Sequence, residues 1–123
     1  MDYKEHIELL AREHSITLEY GGTNGRAWRA TRRVRTPAIK SAVTYAVALH
    51  EIGHVAGIQR GRCIDKEAQA WRWAEQNALE WTETMIKTAA RSISSYLERS
   101  AEGRNGMWDP PDDHDSRRIA QWS

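Results

Sequence analysis

The spacing of hydrophobic positions changes twice within the first forty residues. Residues 2–14 place apolar side chains three and four apart among charged ones, which predicts a short amphipathic helix. Residues 16–20 then alternate apolar and polar side chains, which predicts a strand, and the glycine-rich segment 21–25 predicts a turn. Residues 27–35 are a second strand candidate. We expect the two strands to form a hairpin, with the arginine-bearing second strand at an edge.

A helical period begins at Ser41, and Gly57 is suited to end that helix. After a polar, glycine-containing connection, Asp65 can cap a second helix, rich in alanine, that runs to about Glu83. A further apolar helix face covers residues 85–97, and it can be continuous with the helix before it. The pattern predicts an α+β fold, mostly helical, with a small antiparallel β-hairpin packed on the helix that begins after Ser41.

Length and composition indicate one domain of an ordinary globular protein. The chain has 123 residues, and residues 1–103 carry the predicted elements. Residues 104–123 are acidic and broken by prolines, so we expect a loosely held C-terminal tail. No apolar run reaches the length of a membrane span, and the N-terminus lacks the apolar region of a signal peptide. Cys63 is the only cysteine, so no intrachain disulfide can form, and we expect a cytoplasmic protein.

The strongest candidate for chemistry is the HExxH segment formed by His50, Glu51 and His54. Residues four apart lie on one face of a helix, so both imidazoles can reach one metal ion. The carboxylate of Glu51 can then reach a water molecule in an open coordination position. Two histidines at this spacing beside a glutamate are typical of a zinc-dependent hydrolase.

A catalytic zinc site usually takes three protein ligands and leaves a fourth position for water. Glu67 is the favoured third ligand, because it lies 13 residues beyond His54 in the first turn of the next predicted helix. Glu75 is on the same face two turns further on and is the competing carboxylate. Cys63 is a weaker alternative, since a lone cysteine is more often a small buried side chain.

Other polar and aromatic residues have less specific interpretations. The arginines of the second strand candidate are expected on a solvated strand face, where they would favour an acidic partner, with phosphate contact as a minority hypothesis. The tryptophans of the second helix are expected in the core. An oxyanion donor stays unassigned. The arginines are Arg29, Arg32, Arg33 and Arg35, and the tryptophans are Trp71, Trp73 and Trp81. The candidates for the oxyanion donor are Tyr20, Tyr45, Tyr96 and, ranked lowest, His114.

Two short segments, residues 47–54 and 65–74, resemble the motif helices of the ImmA/IrrE-type metallopeptidases. The first reads VALHEIGH and the second DKEAQAWRWA, and the likeness covers roughly residues 5–85. The resemblance implies a zincin-like, gluzincin-type fold. It also implies zinc held by two histidines and a glutamate of these motifs, with a second glutamate as general base: His50, His54 and Glu67 for the metal, and Glu51 for the base. Members of this family are often encoded by bacteria, phages and mobile elements, and some act on repressor proteins.

The sequence therefore predicts a small zinc metallopeptidase that hydrolyses a peptide bond of a protein or peptide substrate. The alternative is a non-catalytic, zinc-stabilised module that binds another protein. Nucleic-acid binding through the arginine strand is the weakest hypothesis, because the formal net charge is only +1. No membrane partner is expected.

Overall fold

A computed structural model describes all residues, 1–123, and confirms the predicted α+β class. It contains five α-helices, three short strands and one 3₁₀ turn. No helix combines the length and the hydrophobicity needed to cross a bilayer. In chain order the elements are α1 (Tyr3–Glu13), β1 (Thr17–Tyr20), β2 (Arg26–Trp28), β3 (Arg33–Thr36), α2 (Ala42–Ala56), α3 (Cys63–Asn77), α4 (Glu83–Ala101), the 3₁₀ turn Arg104–Gly106 and α5 (Asp115–Ala120).

The sheet is mixed, with the strand order β1-β3-β2. β3 pairs in parallel with β1 and antiparallel with β2, so the predicted hairpin between the first two strands is wrong. The predicted strand 27–35 is divided by a turn, in which Arg32 has a φ of 50° and its N–H donates to the Arg29 carbonyl at 3.1 Å. The antiparallel hairpin therefore joins β2 to β3. Two of the arginines, Arg33 and Arg35, lie on the central strand β3, and β1 and β2 form the two edges.

Helix α2 lies at the centre of the molecule, in contact with α1, β2, β3, α3 and α4. Its apolar side chains are buried against residues from every one of the larger elements around it. Such burial removes apolar surface from water and is the main favourable contribution to folding. The largest fully buried side chains include Tyr45, Leu49 and Ile52 of α2, Ile7 of α1, Val34 of β3, Trp71 of α3, and Met85 and Ile93 of α4.

Local signals define the ends of α2 as predicted. The Ser41 hydroxyl accepts from the Thr44 N–H at 3.3 Å, and the Thr44 hydroxyl accepts from the Ser41 N–H at 3.0 Å. This reciprocal cap satisfies two backbone donors at the N-terminus of the helix. Gly57 is the C-cap, and its N–H donates to the Gly53 carbonyl at 3.0 Å. The motif helix is therefore held at both ends by interactions that the sequence already indicates.

Helix α3 is shorter than predicted. It ends at Asn77 rather than near Glu83, and a separate helix begins after Thr82, whose hydroxyl caps it. The prediction of a single helix to Glu83 is wrong because the Leu79 N–H bonds to the buried Tyr45 hydroxyl at 2.9 Å instead of to a helical carbonyl. A tertiary contact thus overrides the local helix propensity of the alanine-rich segment.

The C-terminal segment is packed, which contradicts its interpretation as a loosely held tail. Ile119 of α5 is fully buried against the core. The Arg72 guanidinium donates to both carboxylate oxygens of Asp115, at 2.9 and 2.7 Å, and His114 contacts Asp65 at 2.5 Å. The acidic composition misled the prediction, because Asp115 and His114 of this segment find partners of opposite charge type on α3.

Candidate metal centre

Helix α2 presents two imidazoles toward one point. The Nε2 atoms of His50 and His54 are 3.1 Å apart, and the ring planes are inclined by 75°. His50 is 8% exposed and stacks on the indole ring of Trp71, with the ring centroids 4.3 Å apart. Trp71 is thus part of the core, as predicted, and it also forms one wall of the histidine pair.

Glu67 of α3 joins this pair. Its Oε2 atom lies 2.5 Å from His50 Nε2 and 3.0 Å from His54 Nε2. Glu67 lies in the second turn of α3 rather than the predicted first turn, because the helix already begins at Cys63. This turn reaches the histidines because Gly53 allows close helix packing. A Cβ at that position would lie 2.8 Å from the carbonyl oxygen of Ala70. Three ligand-type atoms from two helices therefore converge.

The two competitors for the third position lie elsewhere. Glu75 forms an ion pair with Arg72 at 3.4 Å. Cys63 is exposed and lines a different cavity, together with Tyr96 and Trp108. Of the three candidates, only Glu67 contacts both histidines.

Each histidine also has a polar partner at its other ring nitrogen. His54 Nδ1 lies 2.7 Å from Oε1 of Gln59, and His50 Nδ1 lies 3.0 Å from Oε1 of Glu51. The Gln59 amide is itself held, because its Nε2 donates to the Lys66 carbonyl at 3.2 Å. Such partners fix the ring orientation and direct both Nε2 atoms toward Glu67. Gln59 is not among the predicted site residues, because its only sequence signal is a polar residue soon after the end of the motif helix.

Glu51 lies at the edge of the histidine pair, with 8% of its surface exposed. Its carboxylate faces Gly25, which immediately precedes β2. A Cβ on Gly25 would lie 2.5 Å from Cγ of Glu51 and 3.1 Å from its carboxyl carbon. The absence of a side chain at Gly25 therefore makes room for the Glu51 side chain.

The titration of the cluster reflects its mixed charge. Burial lowers the pKa of His50, but the hydrogen bonds and negative charges of Glu51 and Glu67 outweigh it and raise this pKa to about 9. Burial raises the pKa of Glu67, but the hydrogen bonds from His50 and His54 outweigh it and hold this pKa well below its ordinary range. Both directions express the same property, which is the mutual attraction between the imidazoles and the carboxylates of the cluster.

The residues at this position fit a divalent metal ion. His50, Glu51 and His54 can each place one ligand atom within 4.8 Å of the others, so this group could hold an ion. The three atoms on His50, His54 and Glu67 lie closer still, between 2.5 and 3.1 Å apart. A tetrahedral ion with bonds of about 2.1 Å separates its ligands by about 3.4 Å, so these atoms need to move apart by less than about 1 Å.

A cleft of about 420 Å³ opens beside the cluster. One wall comes from β2 and the turn that follows it, and the other comes from α2, α3 and the connection between them. The cleft is mostly polar, since Ala27 is its one hydrophobic lining residue. The lining residues are Gly25, Arg26, Ala27, Arg29, Glu51, His54, Gln59, Lys66 and Glu67.

None of the four oxyanion candidates lines this cleft. Tyr45 is fully buried, and its hydroxyl contacts His6 Nδ1 at 2.6 Å. His114 contacts Asp65, while Tyr96 lies beside the other cavity. Tyr20 is exposed at the end of β1.

The predicted arginine cluster divides between two places. Arg29 lines the cleft, whereas Arg33 and Arg35 lie on the sheet near Trp28, with their guanidinium carbons 4.0 and 5.6 Å from its ring centroid. Arg33 also pairs with Glu19 at 2.5 Å. Arg32 donates to the His14 carbonyl at 3.1 Å. Only part of the cluster is therefore available at the candidate site.

Comparison of the chain with protein-family models, curated proteins and solved structures found no match. The residues and the geometry of the site are therefore the basis for inferring its function.

Proposed function

We propose that this protein is a zinc-dependent peptidase that hydrolyses a peptide bond of a protein or peptide substrate. The observation that carries the proposal is the convergence of His50, His54 and Glu67 within 3.1 Å, with Glu51 at the edge of the same cluster. Two histidines and one carboxylate are a common ligand set of catalytic zinc, which leaves one coordination position open. A purely structural zinc site more often has four protein ligands.

Glu51 is the proposed general base. Zinc held by the three ligands would polarise the substrate carbonyl and lower the pKa of a water molecule at the site. Glu51 takes the proton from the attacking water and passes it to the departing amine. Its carboxylate lines the cleft beside His54, so it has access both to the metal position and to a bound substrate. Gly25 leaves the space in which this side chain can move.

The edge strand β2 offers a place for an extended substrate. It pairs with β3 on one side, and no strand of the chain pairs with its other side. Residues Gly25 to Ala27 line the cleft next to Glu51. An extended peptide that adds to this edge would use backbone hydrogen bonds for affinity and would lie across the cleft.

The arrangement supports the zincin-like, ImmA/IrrE-type hypothesis. A small sheet packs on the HExxH helix α2, and the third proposed ligand, Glu67, comes from the second turn of the next helix, α3. These features match what the two motif segments imply. They concern the chemistry of the site and leave the identity of the substrate open.

Two measurements test the proposal. Mass spectrometry of metals, on protein purified without a histidine tag and without added metal, should give about one zinc per chain. Glu51→Gln should keep that zinc and lose hydrolysis of a proteome-derived peptide mixture, because the amide cannot accept the water proton. Glu75→Gln is the matched control and should retain both properties.

The outcomes separate the proposal from its rival. A Glu51→Gln protein that cleaves at the wild-type rate would contradict the role of this residue. One zinc per chain, with no cleavage of any peptide, would favour the zinc-stabilised interaction module. Absence of zinc even after incubation with the metal would contradict the metal site itself.

A further inference from the structure

The cleft beside the metal centre contains three cationic side chains from three parts of the fold. Arg26 comes from β2, Arg29 from the turn after it, and Lys66 from α3. No carboxylate oxygen of the chain lies within 4.0 Å of any of these three cationic groups. The ion pairs that other arginines and lysines of the protein form lie mostly on its surface. These three residues are called the cationic rim below.

Arg29 is the anchored member of the cationic rim. Its Nη1 donates to the carbonyl oxygens of His54, Val55 and Gly57, at 3.0, 3.1 and 2.7 Å. These contacts satisfy carbonyls at the C-terminal end of α2 and hold the guanidinium beside the metal centre. The Nε and Nη2 donors make no hydrogen bond within the chain. A fixed cation with free donors thus stands next to His54.

Arg26 and Lys66 lie on the two walls of the cleft, and both are exposed. The Arg26 guanidinium is near the Trp28 ring, 4.9 Å from its centroid, which still leaves its hydrogen-bond donors accessible. Lys66 directly precedes Glu67, and its carbonyl is held by Gln59. Neither side chain forms a hydrogen bond with another residue, so both can reach a bound ligand.

The two carboxylates that line the cleft already have partners within the protein. Glu67 contacts both histidines, and Glu51 contacts His50. The members of the cationic rim therefore face the substrate position without an ion-pair partner of their own. Unpaired cations on both sides of a cleft favour a ligand of opposite charge and disfavour a cationic one.

We propose that the cationic rim selects substrates with acidic side chains close to the scissile bond, where Arg29 binds one carboxylate and Arg26 and Lys66 bind its neighbours. This inference rests on the proposed peptidase function, because it assigns a substrate class to the same cleft. It also predicts a binding preference that can be measured without hydrolysis.

An acidic peptide fits the cleft better than a nucleic acid does. The carboxylates of Glu51 and Glu67 lie among the three cations, and they would repel a continuous row of phosphates. A peptide places its carboxylates at intervals and leaves neutral backbone between them. The neutral backbone can lie over Glu51, while side chains on either side reach the cationic rim.

The test uses three pools of fluorescent ten-residue peptides, which are random at the outer positions and carry Glu, Gln or Lys at three central positions. Binding to the zinc-loaded Glu51→Gln protein is measured by fluorescence anisotropy. We expect the Glu pool to bind at least about fivefold more tightly than the Gln pool, as pairing with exposed cations allows. The Lys pool should bind most weakly, and the preference for Glu should decline as salt is raised.

Variants then assign the preference to the cationic rim. Arg26→Gln combined with Lys66→Gln should remove most of the difference in binding between the Glu and Gln pools. Neither side chain supports the fold, so the double variant should stay folded. Arg91→Gln, at an exposed position on α4, is the matched control and should leave the difference unchanged. Equal binding of the two pools, no binding of any pool, or a preference that persists in the double variant would overturn the inference.

Three further outcomes separate this inference from neighbouring hypotheses. A preference for the Glu pool without any cleavage by the wild-type protein supports the acidic ligand and contradicts the peptidase. Cleavage by the wild-type protein without a preference for the Glu pool supports the peptidase and contradicts the acidic ligand. A single-stranded oligonucleotide that binds more tightly than the Glu pool, and loses affinity in the double variant, would replace the peptide with a nucleic acid.

Discussion

Gly25 stands directly against Glu51: a Cβ at position 25 would lie 2.5 Å from Cγ of the glutamate. Gly25 immediately precedes the edge strand β2, and Glu51 lies in the middle of α2. The two residues are 26 positions apart in the chain. The loop therefore meets the proposed general base at a position where only hydrogen fits without movement.

Gly25→Ala tests this contact. The added methyl group should displace the Glu51 side chain, which is flexible, rather than unfold the protein. We expect hydrolysis to fall by at least about tenfold, because general-base contributions are typically this large or larger. Zinc content should stay near one per chain.

Gly103→Ala is a control for the loss of a glycine, since a Cβ there meets no atom within 4 Å. Its φ of +69° adds backbone strain without any contact with the site. Wild-type activity in Gly25→Ala would show that Glu51 does not need its present position.

Removal of the Glu67 carboxylate should weaken zinc binding. In Glu67→Ala the two histidines keep their positions on α2 but lose the oxygen that contacts both of them. We expect the zinc dissociation constant to rise at least about tenfold, measured by competition with a chelating dye. Glu75→Ala, which removes a carboxylate from the same helix, should leave this constant unchanged. The opposite pattern would make Glu75 the third ligand.

Gln59 should affect zinc through the orientation of His54. Gln59→Ala removes the acceptor 2.7 Å from His54 Nδ1, so the ring can turn its Nε2 away from Glu67. We expect the zinc dissociation constant to rise by about 10- to 100-fold, the usual range for such partners. Gln69→Ala is a matched control, because that amide bonds only to the Arg60 backbone. Equal zinc affinities in the two variants would contradict this role of Gln59.

Gly53→Ala should separate α2 from α3. Alanine is the better helix former by about 1 kcal/mol, but its Cβ would lie 2.8 Å from the Ala70 carbonyl oxygen. Backbone atoms cannot move aside cheaply, so we expect a net loss of about 1–3 kcal/mol in the free energy of unfolding, measured with urea. Zinc affinity should fall as well, because Glu67 moves with α3. Val43→Ala, at an exposed position of α2, should change neither quantity appreciably.

The docking of α5 should weaken in acid. Hydrogen bonds from Arg72 hold the pKa of Asp115 below its ordinary value. A carboxylate whose pKa is lower in the folded state contributes stability above its unfolded pKa of about 3.9 and loses it as the pH falls through the folded value. Asp115→Asn should therefore cost stability at pH 7, by about 1 kcal/mol or less for this partly exposed pair, and progressively less as the pH falls below about 4.

Urea unfolding of the wild type and of Asp115→Asn, from pH 7 down to pH 2, measures this convergence. Asp113→Asn provides the control, since Asp113 is exposed and forms no ion pair. A stability difference that stays constant across this range would contradict the assigned pairing.

Much of the candidate site could be predicted because its signals are local. His50 and His54 lie on the same face of α2 because four residues span about one helical turn. The caps of α2 are formed by the residues that flank it in the sequence. The choice of Glu67 as the favoured third ligand follows from its place near the start of the helix after a short connection. The partners Gln59 and Gly25 could not be found this way, because neither residue type carries a signal for its contact.

The errors in the predicted fold share one physical cause, which is competition from distant parts of the chain. The parallel pairing of β1 with β3 depends on contacts between strands that are not consecutive. The end of α3 is decided by the hydroxyl of Tyr45, more than thirty residues away, and the packing of the tail by Asp65 and Arg72. A hydrophobic or polar pattern that covers only a few neighbouring residues of the sequence does not include these distant partners.

The sequence by itself determined the helical framework and the three-residue motif, because helix periodicity and end caps act over a few residues. Tertiary structure alone decided that Glu67 rather than Glu75 contacts the histidines, that β2 is the strand beside the cleft, and that Arg26, Arg29 and Lys66 meet there. The physical reason is that these relationships arise from packing between elements, where the close approach of α2 and α3 at Gly53 selects one arrangement over the others.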